Sequence, residues 1–316
     1  MNFKGHFSKG IFVLSLDTEL AWGMKDKPLS VINSAKYFYD TRKAVDGIIK
    51  LLEKYEISAT WAVVGSLLLD RPNFNDELSD ALRNLRSDVR NRYLKLLEQE
   101  SIWSGKDILK KIQSASIPQE IGSHSFSHLI IGDKKVSREQ ASNEFINSIR
   151  ILKQHGVVPE SFIFPRNSIN YLDELAEAGF KSYRGVEPSW YANLPSKIRK
   201  VCHIIDQLLA ITPPVVLPSR NGDLLNIPAS MLYLPMNGFR RFIPLRSRIN
   251  KALKGIQKAI KEKKIFHLWF HPFNIATNQE KLLRGLEEIF IKVYEERNKG
   301  NLDVMTMKQI VAKVKI

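Results

Sequence analysis

The sequence predicts an α/β fold in which a parallel sheet is closed into a barrel or left open. Short apolar runs, typical of buried strands, alternate with stretches of helical periodicity over most of the 316 residues. Such alternation favours parallel strands joined by helical crossovers. Hydrophobic residues make up 44% of the chain, which is enough for one large core.

These patterns place each element along the chain. Strands are predicted at 11–16, 59–64, 161–165, 181–184, 224–228, 265–270 and 302–306, and a short approach at 120–123 leads into a pair of histidines. Helices are predicted at 35–55, 76–98, 104–113, 138–155, 171–178, 196–210, 245–263, 279–297 and 307–315. Because no repeat or clear linker interrupts them, we expect one domain over 1–316, with insertions at 66–116 and 190–222.

The charge balance indicates an anionic partner. Lysine and arginine outnumber aspartate and glutamate by 48 to 33, which gives a net charge of +15. A phosphate-bearing substrate, an acidic membrane surface or nucleic acid would fit this charge, but no nucleic-acid-binding signature is present. Cys202 is the single cysteine, so no intrachain disulfide forms. Residues 1–10 lack the apolar core of a secretory signal, and we expect a cytoplasmic protein.

Three polar segments stand out because each follows a predicted strand. Asp17 and Glu19 end the first strand, His124 and His128 follow 120–123, and His271 follows the strand at 265–270. The carboxyl ends of barrel strands converge on one face, where active sites form. The sequence therefore predicts that these five side chains meet.

Two imidazoles and one carboxylate are an ordinary ligand set for a catalytic zinc-like ion. A spacing of four predicts that His124 and His128 share one face of a helical turn, and a spacing of two places Asp17 and Glu19 on one side of a strand. A bound divalent metal lowers the pKa of water toward about 7, and the second carboxylate can take a proton from that water. These residues indicate a metal-dependent hydrolase.

The same segments resemble, in order, the motifs of the polysaccharide deacetylases, also called carbohydrate esterase family 4 or NodB-homology proteins. The resemblance rests on 14–19 (Leu-Ser-Leu-Asp-Thr-Glu), 59–65 (Ala-Thr-Trp-Ala-Val-Val-Gly), 120–128 (Glu-Ile-Gly-Ser-His-Ser-Phe-Ser-His), 164–166 (Phe-Pro-Arg), 224–228 (Leu-Leu-Asn-Ile-Pro) and 270–272 (Phe-His-Pro). The family usually has Thr-Phe-Asp-Asp in the first of these segments.

The resemblance implies a distorted, incomplete (β/α) barrel that hydrolyses an N-acyl group, commonly acetyl, from an amino sugar. It also implies one divalent metal ion, often zinc, with cobalt, nickel and manganese as alternatives. By position, Asp17 would be the general base, His271 the general acid, and Arg166 the partner that keeps Asp17 ionised. His124 and His128 would be metal ligands.

The first motif departs from the family pattern at one position. Thr18 stands where a second aspartate usually ligates the metal. Glu19 lies two positions after Asp17, a spacing at which some relatives carry this second carboxylate. We therefore expect Glu19 to be the third metal ligand.

Aromatic and basic residues bear on the substrate. Trp22, Trp61 and Trp190 are candidates to stack on a sugar ring, whereas His267 is expected to be a core histidine deeper in the barrel. The segment 239–264 holds ten basic residues and one acid, with apolar positions at helical spacing. Two interpretations stay open: a peripheral membrane contact, or a barrel helix with its lysines in water.

A phosphate- or lipid-diphosphate-linked amino sugar would give the positive charge a role. Such a substrate favours biosynthesis of a bacterial surface glycan, either polysaccharide or lipopolysaccharide, at the inner face of the membrane. Two alternatives remain open. One is an allantoinase-like amidohydrolase acting on a small non-sugar amide, and the other is an inactive relative that only binds carbohydrate.

Overall fold

One curled sheet organises the chain. The computed structural model describes residues 7–25, 36–69 and 100–314. In these residues the strands are β1 (Gly10–Thr18), β2 (Thr60–Val63), β3 (Glu120–Ser123), β4 (Ser161–Phe162), β5 (Ser182–Gly185), β6 (Ser219–Asn221), β7 (Leu224–Pro228), β8 (Met231–Leu232), β9 (Ile265–Phe270) and β10 (Leu302–Val304). Their order is β6-β7-β5-β4-β3-β2-β1-β9-β8, with β10 also paired to β1. All pairs are parallel except β6–β7.

The sheet closes through one stretch of chain, from β7 to β8. β7 pairs with β5, β8 pairs with β9, and two residues separate β7 from β8. Ala229 donates its backbone N–H to the carbonyl of Gly185 at 3.0 Å, and Ser230 donates to the carbonyl of His267 at 2.9 Å. Consecutive residues thus bond to opposite edges of the sheet. The predicted distorted, incomplete barrel is confirmed.

Helices surround the sheet in the described residues. They are α1 (Tyr37–Lys54), α2 (Glu100–Trp103), α3 (Lys106–Gln113), α4 (Arg138–Gln154), α5 (Leu172–Glu177), α6 (Ser196–Leu208), α7 (Leu245–Glu262), α8 (Pro272–Ala276), α9 (Gln279–Asn298) and α10 (Met307–Val314). Predicted boundaries differ from these by at most three residues, and the helix predicted at 76–98 lies outside the described residues. The patterns missed β6, β8, α2 and α8, which are too short for periodicity to be read.

The inner face of the barrel is apolar at its amino-terminal end. Ile11 and Val13 of β1 join a buried cluster with Ile163, Ile227 and Ile265, and α10 packs against the same cluster. The alternate residues of β1 belong to a second cluster, which the outer helices share. Because side chains alternate along a strand, the next inward positions of β1 are Ser15 and Asp17. The inner face thus becomes polar toward the carboxyl ends of the strands.

The basic helix α7 is a barrel helix. Its apolar face, including Ile249, Ala252 and Ile256, is buried, and α7 packs against β1 and β9. This agrees with the barrel-helix interpretation, so α7 does not offer its apolar face to a membrane. Two of its cations, Arg248 and Lys251, are also buried, which the sequence pattern did not predict.

None of the helices in the described ranges combines the length and apolar character that a membrane-spanning helix needs.

Candidate active site

The candidate catalytic residues meet at the carboxyl ends of β1, β3, β5 and β9. Asp17 lies in β1 and Glu19 follows this strand directly. His124 and His128 lie in the loop after β3, and His271 is the first residue after β9. Because β1 lies between β2 and β9, and β3 pairs with β2, these strand ends are neighbours. The convergence expected from the sequence is therefore present in the fold.

The loop after β3 is not the helical turn that the spacing predicted. Ser125 and His128 have positive φ angles of 64° and 58°, so the chain turns sharply between the two histidines. The buried carboxylate of Glu144 on α4 fixes this turn, accepting the backbone N–H groups of Phe126 at 3.0 Å and Ser127 at 2.8 Å. The two imidazoles converge because the loop is held in an irregular shape.

Glu19, His124 and His128 form a buried cluster. Oε2 of Glu19 lies 3.0 Å from Nε2 of His124 and 2.9 Å from Nε2 of His128. Nδ1 of His124 lies 2.8 Å from the carbonyl oxygen of Ile163, which accepts a hydrogen bond from a protonated Nδ1. That bond leaves Nε2 of His124, which faces Glu19, as the ring nitrogen that would ligate a metal ion.

This cluster fits a divalent metal ion. One ligand atom from each of the three residues lies within 4.8 Å of the other two. Ligand atoms at about 2.0–2.2 Å from a tetrahedral zinc ion are roughly 3.3–3.6 Å apart, so the 3.0 Å and 2.9 Å from Oε2 of Glu19 to the two imidazoles are slightly shorter than a bound ion requires. Thr18, at the usual position of the second aspartate, has a buried hydroxyl without a hydrogen bond among the described residues. Glu19 is therefore the carboxylate that lies with the two histidines.

The electrostatics of Glu19 favour a cation. Burial raises its pKa, but the charges of His271 and His128 and hydrogen bonds from both clustered histidines outweigh burial and hold the pKa well below the usual value. Burial lowers the pKa of His128. The cluster thus keeps an ionised carboxylate between two buried imidazoles.

Asp17 is held by Arg184, not by Arg166. Nη1 of Arg184 donates to Oδ1 of Asp17 at 2.6 Å and Nη2 donates to Oδ2 at 2.7 Å, a bidentate pair in which both residues are buried. Arg166 lies in the turn after β4, is exposed, and has a φ of 54°. The assignment of Arg166 as the partner of Asp17 is corrected accordingly.

Further contacts fix the position of Arg184. Its Nη1 donates to Oγ of Ser15 at 3.1 Å, and its guanidinium carbon lies 4.2 Å from the ring centroid of Trp269. Burial raises the pKa of Asp17, but the charge and hydrogen bond of Arg184, together with the charges of His124 and His271, outweigh burial and the pKa is lowered. The signal in the sequence was an arginine at the end of a predicted strand, because the carboxyl ends of barrel strands face the site and a buried charge there requires a partner.

His271 lies at the mouth of the site and is 21% exposed by side chain. Its Nε2 is 3.4 Å from Oε1 of Glu19 and 3.8 Å from Oδ2 of Asp17. Nδ1 lies 3.3 Å from the side-chain amide nitrogen of Asn274 on α8, and the ring of Phe273 is 4.8 Å away, centroid to centroid. Nε2 therefore faces the carboxylates while the other ring edge is held by α8.

The tryptophan predictions need correction at two of three positions. Trp22 is buried, and its indole N–H donates to the carbonyl of Trp103 at 3.0 Å. Trp61 is fully buried in β2 and contributes to the large core cluster. Neither ring has a free face, so neither can stack on a sugar. Trp190 is 57% exposed and stays a prediction.

His267 is the core histidine that the sequence suggested. It is fully buried, with Nε2 2.9 Å from Oγ of Ser15 and Nδ1 3.2 Å from the carbonyl oxygen of Pro228. Burial lowers its pKa to about 3. His267 therefore belongs to the hydrogen-bond network beneath Asp17 as a neutral ring.

Comparison by sequence identifies the class of protein. Residues 36–182 match the family model described as polysaccharide deacetylase. The matched span includes His124 and His128 but begins after Asp17 and Glu19 and ends two residues before Arg184. The resemblance indicated by the motifs is confirmed for these residues, which make up just under half of the chain. A search of the curated proteins found no match.

Solved structures extend the likeness to almost the whole chain. A Mycobacterium smegmatis protein assigned as a polysaccharide deacetylase has a TM-score of 0.66 at 15% identity, over 99% of this chain and 93% of its own. The allantoinase PuuE has a TM-score of 0.62 at 14% identity, over 98% and 93%. A Pseudomonas aeruginosa PAO1 protein, also assigned as a polysaccharide deacetylase, has a TM-score of 0.61 at 12% identity, over 96% and 89%. At these identities the likeness establishes the fold.

Proposed function

We propose that the chain is a metal-dependent hydrolase that removes an N-acyl group, acetyl in the simplest case, from an amino sugar. The observation that carries this proposal is the buried cluster of Glu19, His124 and His128 beside the Asp17–Arg184 pair and His271. The match to the polysaccharide deacetylase model supports the same chemistry.

Each residue has a defined part in this reaction. Glu19, His124 and His128 would hold the metal ion, which supplies a Lewis acid that polarises the amide carbonyl. When a water oxygen attacks the amide carbon, the carboxylate of Asp17 accepts the proton that the water loses. When the carbon–nitrogen bond breaks, Nε2 of His271 donates a proton to the leaving nitrogen. The products are a free carboxylic acid and an amine.

Arg184 has a positioning role in this scheme. Its two N–H donors lie parallel to the two carboxylate oxygens of Asp17, which fixes the plane of the base and keeps it ionised. The partial exposure of His271 suits a group that must meet a substrate nitrogen entering from solvent. His271 thus lies between the buried cluster and solvent, with its Nε2 3.4 Å from Oε1 of Glu19.

The substrate that we propose is an amino sugar carried on a phosphate or lipid diphosphate, in the biosynthesis of a bacterial surface glycan. The net charge of +15 supports an anionic substrate. We place this activity at the cytoplasmic side of the membrane, where phosphate-linked sugars are assembled.

A second candidate is hydrolysis of a small non-sugar amide. Two observations favour it: the fold is shared with the allantoinase PuuE, and Thr18 and Glu19 alter the first motif. Acid release from nucleotide-linked N-acetylglucosamine, N-acetylglucosamine oligomers and allantoin, measured side by side, separates the two candidates. An inactive relative would release acid from none of them, even when loaded with metal.

The metal content of the purified protein tests the proposal most directly. Protein prepared without added metal or chelator should contain about one divalent ion per chain, as measured by mass spectrometry. The Glu19→Gln variant keeps the shape of the side chain, loses the charged ligand and should lose both the metal and the activity. Glu139→Gln, on the exposed first turn of α4, is the matched control and should keep both. Stoichiometric metal in Glu19→Gln would contradict the assigned ligand set.

A further inference from the structure

Helix α6 presents the reverse of the usual arrangement of a surface helix. Its apolar residues Ile198, Val201, Ile205 and Leu208 follow helical spacing and are 42% to 56% exposed. The residues that it buries against the protein are polar, Asp206 among them. A surface helix normally buries its apolar stripe, so an outward stripe marks an interaction surface.

Polar contacts hold α6 in this orientation. The carboxylate of Asp206 forms a buried ion pair with Lys251 of α7 and accepts the indole N–H of Trp190 at 3.0 Å. Ser247 donates its hydroxyl to the carbonyl of Leu208 at 3.0 Å. Since turning the helix over would leave the charge of Lys251 buried and unpaired, the apolar stripe is fixed outward.

A second apolar element is the 3₁₀ turn Gly238–Phe242. Phe239 is 86% exposed and Phe242 is 66% exposed. The buried guanidinium of Arg248 donates to the carbonyl of Arg240 at 2.7 Å and to the carbonyl of Ile243, which anchors the turn from below. Two phenylalanines are thus displayed on a rigid turn. Burial lowers the pKa of His203 on α6, and the charge of Arg240 on this turn lowers it further, so the two elements lie close together. We call α6 together with this turn the apolar-basic surface.

The charges on the apolar-basic surface are all positive. Its exposed cations are Lys197, Arg199, Lys200, Arg240 and Arg241. The only acid within 196–210 and 237–243 is Asp206, which is buried and paired with Lys251. A partner must therefore accept apolar side chains and carry negative charge. An anionic lipid bilayer offers both, because its phosphates attract cations and its acyl chains accept phenylalanine and isoleucine.

The apolar-basic surface lies at the same end of the barrel as the candidate active site. Helix α6 follows β5, whose last residues include Arg184, and the turn follows β8. The loops that directly follow barrel strands lie at their carboxyl ends, where Asp17 and His271 also lie. Helix α6 reaches the first turn of α7, which comes after the turn, through the hydrogen bond between Ser247 and Leu208. A protein seated on this surface would hold the mouth of the site near the bilayer.

We propose that α6 and the turn Gly238–Phe242 seat this protein on an anionic lipid surface. The sequence analysis considered a membrane contact through the whole segment 239–264. The structure excludes α7 from this contact, so only the turn is kept from that segment. If the proposed function also holds, on which this further step rests, the substrate is an amino sugar anchored in the lipid. The bilayer contact itself does not depend on catalysis.

Co-sedimentation with vesicles tests the contact. The protein should bind vesicles of equal parts phosphatidylglycerol and phosphatidylcholine at least about tenfold more tightly than vesicles of phosphatidylcholine alone. Arg240→Glu/Arg241→Glu and Phe239→Ser/Phe242→Ser should each reduce binding by about tenfold or more. Lys134→Glu/Lys135→Glu and Ile146→Ser/Val158→Ser remove exposed charge and exposed apolar area elsewhere, and should bind like the wild type.

Three outcomes would overturn the proposal. One is equal binding to neutral and anionic vesicles, and another is equal loss in the control variants. The third is a dimer by light scattering that dissociates in Phe239→Ser/Phe242→Ser while vesicles are not bound, because the surface would then cover a second copy. Glu19→Gln separates this proposal from the proposed function, since it should lose metal and still bind anionic vesicles.

Discussion

The two ends of the barrel interior use the same strands and have opposite compositions. Toward the amino-terminal ends, β1 and β9 contribute Ile11, Val13 and Ile265 to an apolar cluster that α10 closes. Toward the carboxyl ends, the next inward residues are Ser15, Asp17 and His267, joined with Arg184 by hydrogen bonds. In β1, Val13 therefore belongs to the apolar core, whereas Ser15, two residues later, belongs to the polar network of the candidate site.

The largest effect should follow from altering the Asp17–Arg184 pair. Arg184→Lys keeps the charge but loses the two-pronged geometry, so we expect kcat/KM to fall by about 10²- to 10⁴-fold, the range that general acid–base catalysis contributes. The acidic limb of the pH–rate profile should move upward, because the pKa of Asp17 is lowered by Arg184. Arg166→Lys, on the exposed turn after β4, should leave both unchanged. A large loss of kcat/KM in Arg166→Lys, with little loss in Arg184→Lys, would instead make Arg166 the partner of Asp17.

The apolar end should respond in stability alone. Ile265→Ala removes a fully buried side chain and should lower the free energy of unfolding by about 2–5 kcal/mol, as measured by urea denaturation. At temperatures where the variant is folded, its kcat/KM should stay within about twofold of the wild type. Ile146→Ala, at a half-exposed position on α4, is the matched control and should change stability by less than about 0.5 kcal/mol. A large loss of kcat/KM in folded Ile265→Ala would show that the two ends are coupled.

A smaller effect should appear at the boundary between the two ends. His267 has a pKa lowered by burial to about 3, whereas the unfolded chain takes up this proton near the usual value of 6.5. Between these values the unfolded state binds one more proton, so stability is full above pH 6.5 and falls as the pH drops toward 3. The slope from this group is about 1.4 kcal/mol per pH unit.

The matched variant for this effect is His267→Gln, which can keep one hydrogen bond and does not titrate. Urea unfolding at pH 7.5 and pH 5 should show a smaller loss of stability on acidification in His267→Gln than in the wild type. An identical pH dependence in both proteins would mean that the pKa of His267 is the same in the folded and unfolded states and is not lowered by burial.

The sequence predicted the parts of the site that depend on strand ends. Asp17, Glu19, His124, His128 and His271 converge because parallel strands bring every residue after a carboxyl end to one face. Their roles in catalysis stay predictions. The barrel was predictable for the same reason, since β and α patterns alternate clearly along the chain.

Three features of the site were not predicted from the sequence: the shape of one loop, the partner of Asp17 and the burial of Trp22. They depend on irregular backbone geometry or on the direction in which a side chain points. The loop between His124 and His128 takes its shape from hydrogen bonds to Glu144, which is distant in sequence. The helical turn predicted from the four-residue spacing was therefore wrong. The partner of Asp17 is Arg184 on β5, not Arg166 in the motif at 164–166. The side chain of an inward-facing strand residue reaches the barrel interior, whereas the side chain of a residue on an exposed turn does not. Trp22 shows the same limit, since a loop position does not tell whether a side chain turns inward.

Closure of the ring has a consequence for the growing chain. Oγ of Ser15 and Nε2 of His267 lie 2.9 Å apart and are separated by 252 residues in sequence. In the barrel, β1 lies between β2 and β9, so its pairing is incomplete until β9 has been synthesised. His271 follows β9 directly. Contacts of such long range form slowly and late in folding. During synthesis the site therefore stays incomplete until His271 has been added, and a chain that stops earlier lacks one of the five converging side chains.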